Sequence, residues 1–320
     1  MRVKLWLVLC LASLLIGLGY LGSGVDGWRL LPENALESAI LFEIRLPRLV
    51  LAGLNGMALG MAGAVLQLQL KNPLAEPGIT GIAGGAGLAT VVALYWGGLT
   101  PIAWSLPLVG MLGGALSLIL LWLLSSGQMF GLRLILAGVA LASLTGALMA
   151  VVLNLAPNPF AFQEWALWLM GSVANRGWSH VWLMAPSLVL ALLLLLSQRR
   201  FLSAQIFDDA TIATLGFQLG WKRFLIFAAV ALLVSASVVT AGIIGFVGLL
   251  APHAARLLGQ HQPLPMILLS ALLGAWLLML MDWLVRLIPT PVELQLGVVV
   301  SLIGAPWLLI LLYRQHAAKY

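Results

Sequence analysis

Charge is what this sequence has least of. Only 8% of its 320 residues are Asp, Glu, Lys or Arg, whereas a soluble domain usually carries about 25%. A chain this poor in charge cannot cover itself with a surface that water wets, so we expect lipid to surround most of it. Charge-free runs such as 5–20, 49–70 and 224–251 are long enough for the roughly 20 helical residues that cross a hydrocarbon core.

Cysteine is nearly absent as well, since Cys10 is the single one. This excludes an internal disulfide and a cysteine-based metal cluster. The histidines His180, His253, His261 and His316 are not spaced as a metal site, so we expect no metal on this chain. The formal charge is +6, but the basic residues sit at the ends of apolar runs and form no basic and aromatic patch, so we expect no nucleic-acid binding.

The apolar runs, divided at Pro, Gly and charged residues, predict an all-α integral membrane protein with ten transmembrane helices in a single transmembrane domain, residues 1–320. Short helices that do not span are expected in the connections 155–177 and 198–222. The first run resembles a signal peptide, but its apolar core is about twice the usual length and no A-x-A site follows, so we expect a retained span. The predicted spans are 5–22, 48–70, 79–97, 101–124, 132–154, 178–197, 223–241, 243–259, 264–288 and 294–313.

The basic residues predict the orientation of these spans. An even number of crossings places both termini on the same side, and if that side is the cytoplasm, eleven of the 16 Lys and Arg residues lie inside and five outside. This distribution agrees with the positive-inside rule, so we expect cytoplasmic termini. The five basic residues outside are Arg29, Arg45, Arg48, Arg176 and Arg286.

Small and polar residues are concentrated in particular spans. Gly56, Gly60 and Gly63 repeat at i, i+4 and i+7 of the second span, which predicts one helix face that packs closely against a neighbour. Asn55 and Gln67 lie in the same span, where polar side chains usually face a partner helix or a water-filled cavity.

The stretch 71–89, KNPLAEPGITGIAGGAGLA, interrupts the apolar pattern between the second and third spans. Pro73 and Pro77 stop helices, and five glycines make the start of the third span thin and deformable. Irregular backbone at membrane depth is tolerated where protein or a water-filled cavity shelters it. A glycine-rich re-entry of this kind is typical of a gate at the end of a transport pathway.

Two other function classes fit the sequence less well. An intramembrane enzyme would need a Ser/His or paired-carboxylate arrangement at membrane depth, and the sequence contains neither G-x-S-x-G nor D-D-x-x-D, so no catalytic residue is predicted. Asp208 and Asp209 are adjacent, but no second acidic cluster completes a metal site. A proton- or ion-coupled transporter would place ionisable residues near mid-span, whereas Asp282 and Glu293 lie near span ends.

Several motifs together resemble the permease subunit of type II ABC importers for iron-siderophores, haem and cobalamin, the FecCD-type family. They occur in the order and spacing of that family across almost the whole chain. The motifs are EIRLPRLVLAGLNGMALGMAGAVLQ (43–67), NPLAEPGITGIAGGAG (72–87), LILAGVALA (134–142), TLGFQLGWKR (214–223), GIIGFVGLLAPHAARLL (242–258), MDWLVRL (281–287) and ELQLGVVVSLIGAP (293–306).

The resemblance implies a function and a set of partners. Members are multi-pass proteins of the bacterial inner membrane that work with a second permease subunit in a homodimer or heterodimer, two cytoplasmic ATP-binding subunits and a periplasmic substrate-binding protein. ATP and Mg would bind to the ATPases; this chain has no G-x-x-x-x-G-K-[ST] motif and is expected to bind no cofactor. The implied substrate is an iron(III)-siderophore or related metal chelate, with cobalamin as the alternative.

The resemblance also implies roles for two groups of residues on the inner side. The first forms the gate: Asn72, Pro73 and Leu74 after the second span, and Gly131 and Leu132 before the fifth. Some relatives have small hydroxyl residues in the second of these loops, and this chain does not. The other group belongs to an ATPase-coupling segment at about 203–222, in which 208–215 reads as a short helix with turns at Gly216 and Gly220. Its implied contact residues are Ala210, Thr211, Thr214, Leu215, Gly216 and Gly220.

A third group, on the outer side, is implied to dock the binding protein. Arg45, Arg48 and Arg286 match the docking arginines of the family, and the planar guanidinium suits this role because it binds carboxylates bidentately. The residues alone also permit another interpretation, in which these arginines sit at the membrane interface and Arg286 pairs with Asp282, four residues earlier on one helix face.

Overall fold

The computed structural model describes residues 3–24, 27–28, 31–99, 105–127, 129–288 and 293–317. Arg29 and the first residues of the predicted span 101–124 lie outside the described residues.

The described residues are almost entirely helical. A two-residue antiparallel ladder pairs β1 (Ser23–Gly24) with β2 (Gly27–Trp28). A π-helix, Ile40–Arg45, joins α2 to α3, and a 3-10 helix, Pro77–Thr80, precedes α4. The α-helices are α1 (Val3–Gly22), α2 (Ala35–Ala39), α3 (Leu46–Gln69), α4 (Ile82–Tyr95), α5 (Ser105–Leu124), α6 (Gly131–Asn154), α7 (Ala161–Leu169), α8 (Trp178–Ser197), α9 (Arg199–Ala204), α10 (Asp209–Thr214), α11 (Leu219–Ala241), α12 (Val247–Leu257), α13 (Pro263–Leu287) and α14 (Leu296–Ala317).

Each predicted span coincides with a helix, but the helices differ in length. Among the described residues, six helical segments are long and apolar enough to cross a membrane: the continuous segment Ala35–Gln69, and α5, α6, α8, α11 and α13. The other four predicted spans correspond to α1, α4, α12 and α14, of which α4 has 14 residues and α12 has 11. Helix length therefore does not confirm ten complete crossings. The short helices expected in the two long connections are present as α7 in the first, and as α9 and α10 in the second.

The helix predicted over 243–259 begins only at Val247, because the backbone before it is not helical. Residues 242–245 form no regular secondary structure, and Gly242 and Phe246 have φ angles of 76° and 66°. A positive φ is costly for a bulky residue such as Phe, so the chain changes direction here before the helix starts. The irregular half is sheltered by protein, since a Cβ on Gly242 would lie 2.1 Å from the carbonyl oxygen of Trp168.

The small-residue face predicted in the second span forms the centre of the fold. A Cβ on Gly56 would lie 2.2 Å from the carbonyl oxygen of Gly274, and one on Gly60 would lie 2.2 Å from that of Ser270, both on α13. The predicted close packing is therefore confirmed, and α3 is buried along most of its length.

Contacts between helix ends define two ends of the bundle. The Arg48 end contains the start of α3, and Trp178 Nε1 at the start of α8 donates to the carbonyl oxygen of Phe42 there at 3.0 Å. Backbone bonds from Ser172 to Ala241 and from Gly297 to Gly171 place the end of α11 beside the start of α14. The Asn72 end contains the end of α3 and the connections around α9 and α10.

Candidate functional site

The centre of the Arg48 end is an ion pair between α3 and α13. Arg48 donates to both carboxylate oxygens of Asp282, at 2.9 and 2.7 Å, and also contacts Glu293. The hydroxyl of Tyr20 donates to the same carboxylate of Asp282, which is only 1% exposed. The charge of Asp282 is therefore balanced by a bidentate arginine and a phenol, as a buried carboxylate requires.

Arg45 and Arg286 contact the end of α1. Nη1 of Arg45 donates to the carbonyl oxygen of Leu21 at 3.2 Å, and Arg286 donates to the carbonyl oxygens of Tyr20 and Ser23 at 3.3 and 3.2 Å. The guanidinium of Arg286 also lies over the ring of Tyr20, 4.6 Å from its centroid. The structure thus brings the three predicted docking arginines together around the end of α1.

The partner of Asp282 differs from the alternative interpretation of the sequence. Helical spacing suggested Arg286, but Asp282 pairs with Arg48, 234 residues away in sequence. Arg48, on the facing helix, binds both carboxylate oxygens of Asp282, a bidentate geometry that suits its planar guanidinium. In the described residues, Arg45 and Arg286 bind carbonyl oxygens only, so both keep guanidinium N–H groups for an outside carboxylate.

The first predicted gate element is a tight turn at the Asn72 end. The side chain of Asn72 accepts a hydrogen bond from the backbone N–H of Leu74 at 2.9 Å, and its carbonyl oxygen accepts one from Ala75 at 3.1 Å. Such an Asx turn fixes the local backbone conformation, and the two residues that follow Asn72 remain exposed on the surface. Pro73 is exposed, and the side chain of Leu74 is 44% exposed. Asn72 therefore braces a loop with an apolar tip.

Glu76 connects this loop to the irregular segment before α12. Its carboxylate lies beside the backbone N–H of Phe246, the residue that precedes the first turn of α12. A helix start offers unpaired N–H groups and a positive dipole end, both of which suit a carboxylate. The sequence interpretation missed this link, although an acidic residue between two prolines in an apolar chain was a usable signal.

The second predicted gate element begins the helix α6, which packs on the segment that follows the first. Gly131 has a φ of 75°, and Leu132 is 69% exposed at the start of α6. Further along α6, a Cβ on Gly138 would lie 2.2 Å from the carbonyl oxygen of Ile79. The helix that begins at Gly131 therefore packs directly on the 3-10 helix that follows the Asn72 turn.

Most residues of the predicted coupling segment are exposed on the surface of the chain. The predicted helix over 208–215 is confirmed as α10, and Gly216 forms the predicted turn with a φ of 84°. Gly220 does not form a turn, because it lies in the first turn of α11, where a Cβ would meet the carbonyl oxygen of Gly127 at 3.0 Å. The exposed contact residues are Ala210, Thr211, Thr214, Leu215 and Gly216.

The residues that directly precede the two predicted gate elements link them to the coupling segment. Nζ of Lys71, the residue before Asn72, donates to the carbonyl oxygen of Phe207 at 3.1 Å. Nη2 of Arg223 bonds Asp209 at 2.7 Å, and the same guanidinium lies over the ring of Phe130, the residue before Gly131, at 4.4 Å from its centroid. A movement of the coupling segment would therefore reach the Asn72 loop through Lys71, and the loop before α6 through Arg223 on α11.

The start of α10 carries a local charge. The hydroxyl of Thr211 donates to the carboxylate of Asp208, and this bond holds the pKa of Asp208 below its ordinary value. In the described part of the chain, no group of three or more His, Cys, Asp or Glu residues is arranged to hold a metal ion. The acidic pair therefore starts and anchors a helix: Asp208 precedes it and Asp209 pairs with Arg223.

The chain is similar in sequence to several known permease proteins. The Fe(3+) dicitrate transport system permease protein FecD of Escherichia coli (strain K12) is 40% identical over 283 residues, which covers 87% of this chain and 86% of that protein. The vitamin B12 import system permease protein BtuC of Vibrio cholerae is 37% identical over 318 residues, covering 98% of this chain and 93% of that protein. The iron-uptake system permease protein FeuC of Bacillus subtilis (strain 168) is 34% identical over 294 residues, covering 89% and 87%.

A solved structure described as an inward-facing ABC transporter of the metal-chelate type is also similar. It has a TM-score of 0.90 and 28% sequence identity, and the match covers 98% of this chain and 100% of that one. The model of the FecCD transport family matches residues 5–314, almost the full length. The protein is thus a multi-pass membrane protein, and it belongs to the FecCD transport family.

Proposed function

We propose that this chain is the permease subunit of an ATP-driven importer that moves an iron(III)-siderophore or related metal chelate across the bacterial inner membrane. The observation that carries this proposal is the match of almost the whole chain, at a TM-score of 0.90, to a metal-chelate type ABC transporter. FecD, FeuC and the iron(3+)-hydroxamate import system permease protein FhuG of Bacillus subtilis (strain 168), which is 34% identical, support an iron complex as the substrate.

Cobalamin is the second candidate substrate. The similarity to the vitamin B12 permease of Vibrio cholerae extends over 98% of this chain, which is wider coverage than that of the iron permeases named above. Either substrate would be transported by the same mechanism, so the choice between them does not alter the roles proposed for the arginines, the gate loops and the coupling segment.

The partners follow from the same proposal. The chain pairs with a second permease subunit, identical or different, and two cytoplasmic ATP-binding subunits hydrolyse ATP, because this sequence lacks a phosphate-binding loop of its own. A periplasmic binding protein delivers the chelate to the Arg48 end. Both termini lie in the cytoplasm, which agrees with the excess of basic residues predicted on that side.

The geometry suggests how these parts work together. Arg45 and Arg286 have donors available for carboxylates of the binding protein, and Arg48 holds α3 and α13 in place between them. At the Asn72 end, the exposed tip around Leu74 and the exposed Leu132 close the pathway against the second subunit. The ATPase acts on the exposed face of α10, and the contacts of Lys71 and Arg223 transmit its movement to both loops.

Uptake by a reconstituted complex tests this proposal. The permease, its ATPase and its binding protein are placed in proteoliposomes, and accumulation of a radiolabelled ferric siderophore is compared with that of radiolabelled cobalamin. ATP-dependent accumulation of the ferric chelate is expected, and a complex with an ATPase that cannot hydrolyse ATP serves as the control. Accumulation of cobalamin alone would select the second candidate, and accumulation of neither would contradict the transport proposal.

A further inference from the structure

A cavity of about 300 Å³ lies at the Arg48 end, and none of the predicted docking arginines lines it. It is enclosed by the end of α4, the start of α5, helix α7, the start of α8 and the end of α11. Its lining combines a basic residue, Arg176, and an acidic residue, Glu164, with the aromatic side chains of Tyr95, Trp165 and Trp168. This mixture is unusual for a chain with so little charge, and none of the roles described above uses it.

Arg176 has no acidic partner within the described part of the chain. Its Nη1 lies 3.2 Å from Nε2 of His180, which occupies one donor and leaves the others free. Arg48 and Arg223, by contrast, are each paired with a carboxylate. Burial without a counter-charge lowers the pKa of Arg176, which means that an anion placed beside it would be favourable.

The shape and charge of the rest of the cavity limit which ligands can bind. Trp165 and Trp168 provide flat apolar walls, while Glu164 is exposed and is held by the hydroxyl of Tyr95 at 2.8 Å. A guanidinium forms a planar fork that matches a carboxylate, and aromatic side chains pack well on flat rings. The volume is at the lower limit for small-molecule sites, so the cavity suits a ligand of about ten heavy atoms and is too small for a complete chelate.

We propose that this cavity is a binding site for a small aromatic carboxylate, whose carboxylate group is bound by Arg176 and whose ring packs against the tryptophans of α7. This goes beyond the proposed function, because transport of a chelate through the pathway between two subunits does not require a ligand site within one permease chain. The negative charge of Glu164 at the exposed side of the cavity opposes the ligand and limits its affinity.

Binding of benzoate to the full chain in phosphatidylcholine nanodiscs tests the proposal by calorimetry. Arg176→Gln keeps hydrogen-bonding capacity but removes the charge, and should weaken benzoate binding about tenfold. Glu164→Gln still accepts from Tyr95 but removes the repulsion, and should tighten binding severalfold. Arg133→Gln at the Asn72 end, which does not line this cavity, is the matched control and should bind like the unmodified chain.

The two substitutions are expected to change benzoate affinity in opposite directions. This separates an effect on binding from misfolding, because a loss of structure would lower the affinity of both variants. Thermal unfolding of each variant is measured alongside. Absence of benzoate binding to the unmodified chain, or equal affinity in Arg176→Gln, would overturn the proposal. Loss of benzoate binding when phosphatidylglycerol replaces phosphatidylcholine, at a salt concentration that screens the membrane charge, would also overturn it, since it would identify an anionic lipid headgroup as the occupant.

Discussion

A buried carboxylate determines what Arg48 can do. Asp282 is 1% exposed and Arg48 is 11% exposed, so neither side chain can be well solvated if the other is lost. Arg45 is not tied to a carboxylate in this way, because it bonds to the carbonyl oxygen of Leu21. The three arginines that look equivalent in the sequence therefore differ in how freely they can bind a partner.

The first prediction separates docking from stability at these arginines. Arg45→Glu should weaken binding of the binding protein and lower uptake while leaving the thermal stability of the permease unchanged. Arg48→Glu should lower stability as well, because breaking a buried ion pair costs about 3–5 kcal/mol and the new carboxylate faces Asp282. Pull-down affinity and thermal unfolding of both variants measure the two effects.

Salt provides the control for the docking interpretation. Charges at the rim of an interface are screened over about 8 Å at physiological ionic strength, so docking of the unmodified chain should weaken as salt rises. A Glu→Arg change on the binding protein should partly restore binding to Arg45→Glu. Unchanged affinity in Arg45→Glu at low salt would remove this residue from the docking surface.

A second prediction at this scale concerns close backbone contact. Gly56→Ala should destabilise the protein by about 1–3 kcal/mol, because the added methyl group would lie 2.2 Å from the carbonyl oxygen of Gly274. Gly17→Ala, with nothing within 4 Å of the new Cβ, should be neutral or stabilising by up to about 1 kcal/mol through helix propensity. Thermal unfolding in detergent compares the two, and equal midpoints would contradict the packing of α3 on α13.

At the scale of the element, the sequence predicts where helices lie better than how long they are. Hydropathy locates each apolar run because burial in lipid depends on composition. It does not show where the backbone leaves the helix, because an extended segment sheltered by protein can be as apolar as a helix. Gly242 and Gly245 stand at the start of the predicted span 243–259, and they are the sequence signal that its first half is not helical.

In the candidate site, too, the sequence reveals local features but not the contacts between distant segments. The Asn72 loop and the helix at 208–215 carry prolines, glycines and capping residues whose local effects the sequence reveals. The contact of Arg223 with Asp209 and Phe130 joins three segments, and its geometry depends on how α11 packs. Pairings of this kind, like that of Arg48 with Asp282, cannot be derived from spacing along one chain.

The third prediction concerns this joint between elements. Asp209→Asn leaves Arg223, which is 5% exposed, without its carboxylate, so α10 should no longer move the loop before α6 reliably. We expect ATP hydrolysis by the complex to persist while uptake per ATP falls severalfold. Asp209→Glu should restore most of the loss, since it can re-form the ion pair.

Two further variants test whether the defect of Asp209→Asn comes from the lost ion pair. Arg223→Gln should reproduce the defect of Asp209→Asn, and combining both changes should cost little more than either, because they remove one interaction. Arg199→Gln, an exposed arginine in α9, is the matched control and should transport normally. Normal uptake per ATP in both Asp209→Asn and Arg223→Gln would show that the contact does not transmit movement.

At the scale of the whole molecule, α3 joins the two ends. It begins beside Arg48, passes through the centre of the fold against α13 and α12, and ends just before Asn72. A rigid, buried helix of this kind shifts as one body when its end is displaced. The proposed docking at the Arg48 end and the proposed closure at the Asn72 end can therefore affect each other without a flexible relay between them.

The last prediction tests whether the Asn72 loop closes a pathway between two subunits. The side chain of Leu74 is 44% exposed on a loop that Asn72 braces, so a partner loop can cover it. Leu74→Cys in a Cys10→Ser background should form a crosslink between two permease chains, and its yield should change when the ATPase binds nucleotide. Asn72→Cys should crosslink less well, because it also removes the hydrogen bond that shapes the loop.

Leu123→Cys provides the control, since this side chain is 58% exposed at the same end of the bundle but lies on α5, outside both predicted gate elements. It should be labelled by a thiol reagent without forming a crosslink. If Leu74→Cys crosslinks no more than Leu123→Cys in any nucleotide state, the loop faces lipid or the ATPase and does not close a pathway. A crosslink whose yield is the same in every state would make the loop a fixed subunit contact, because a gate must open when the transporter turns over.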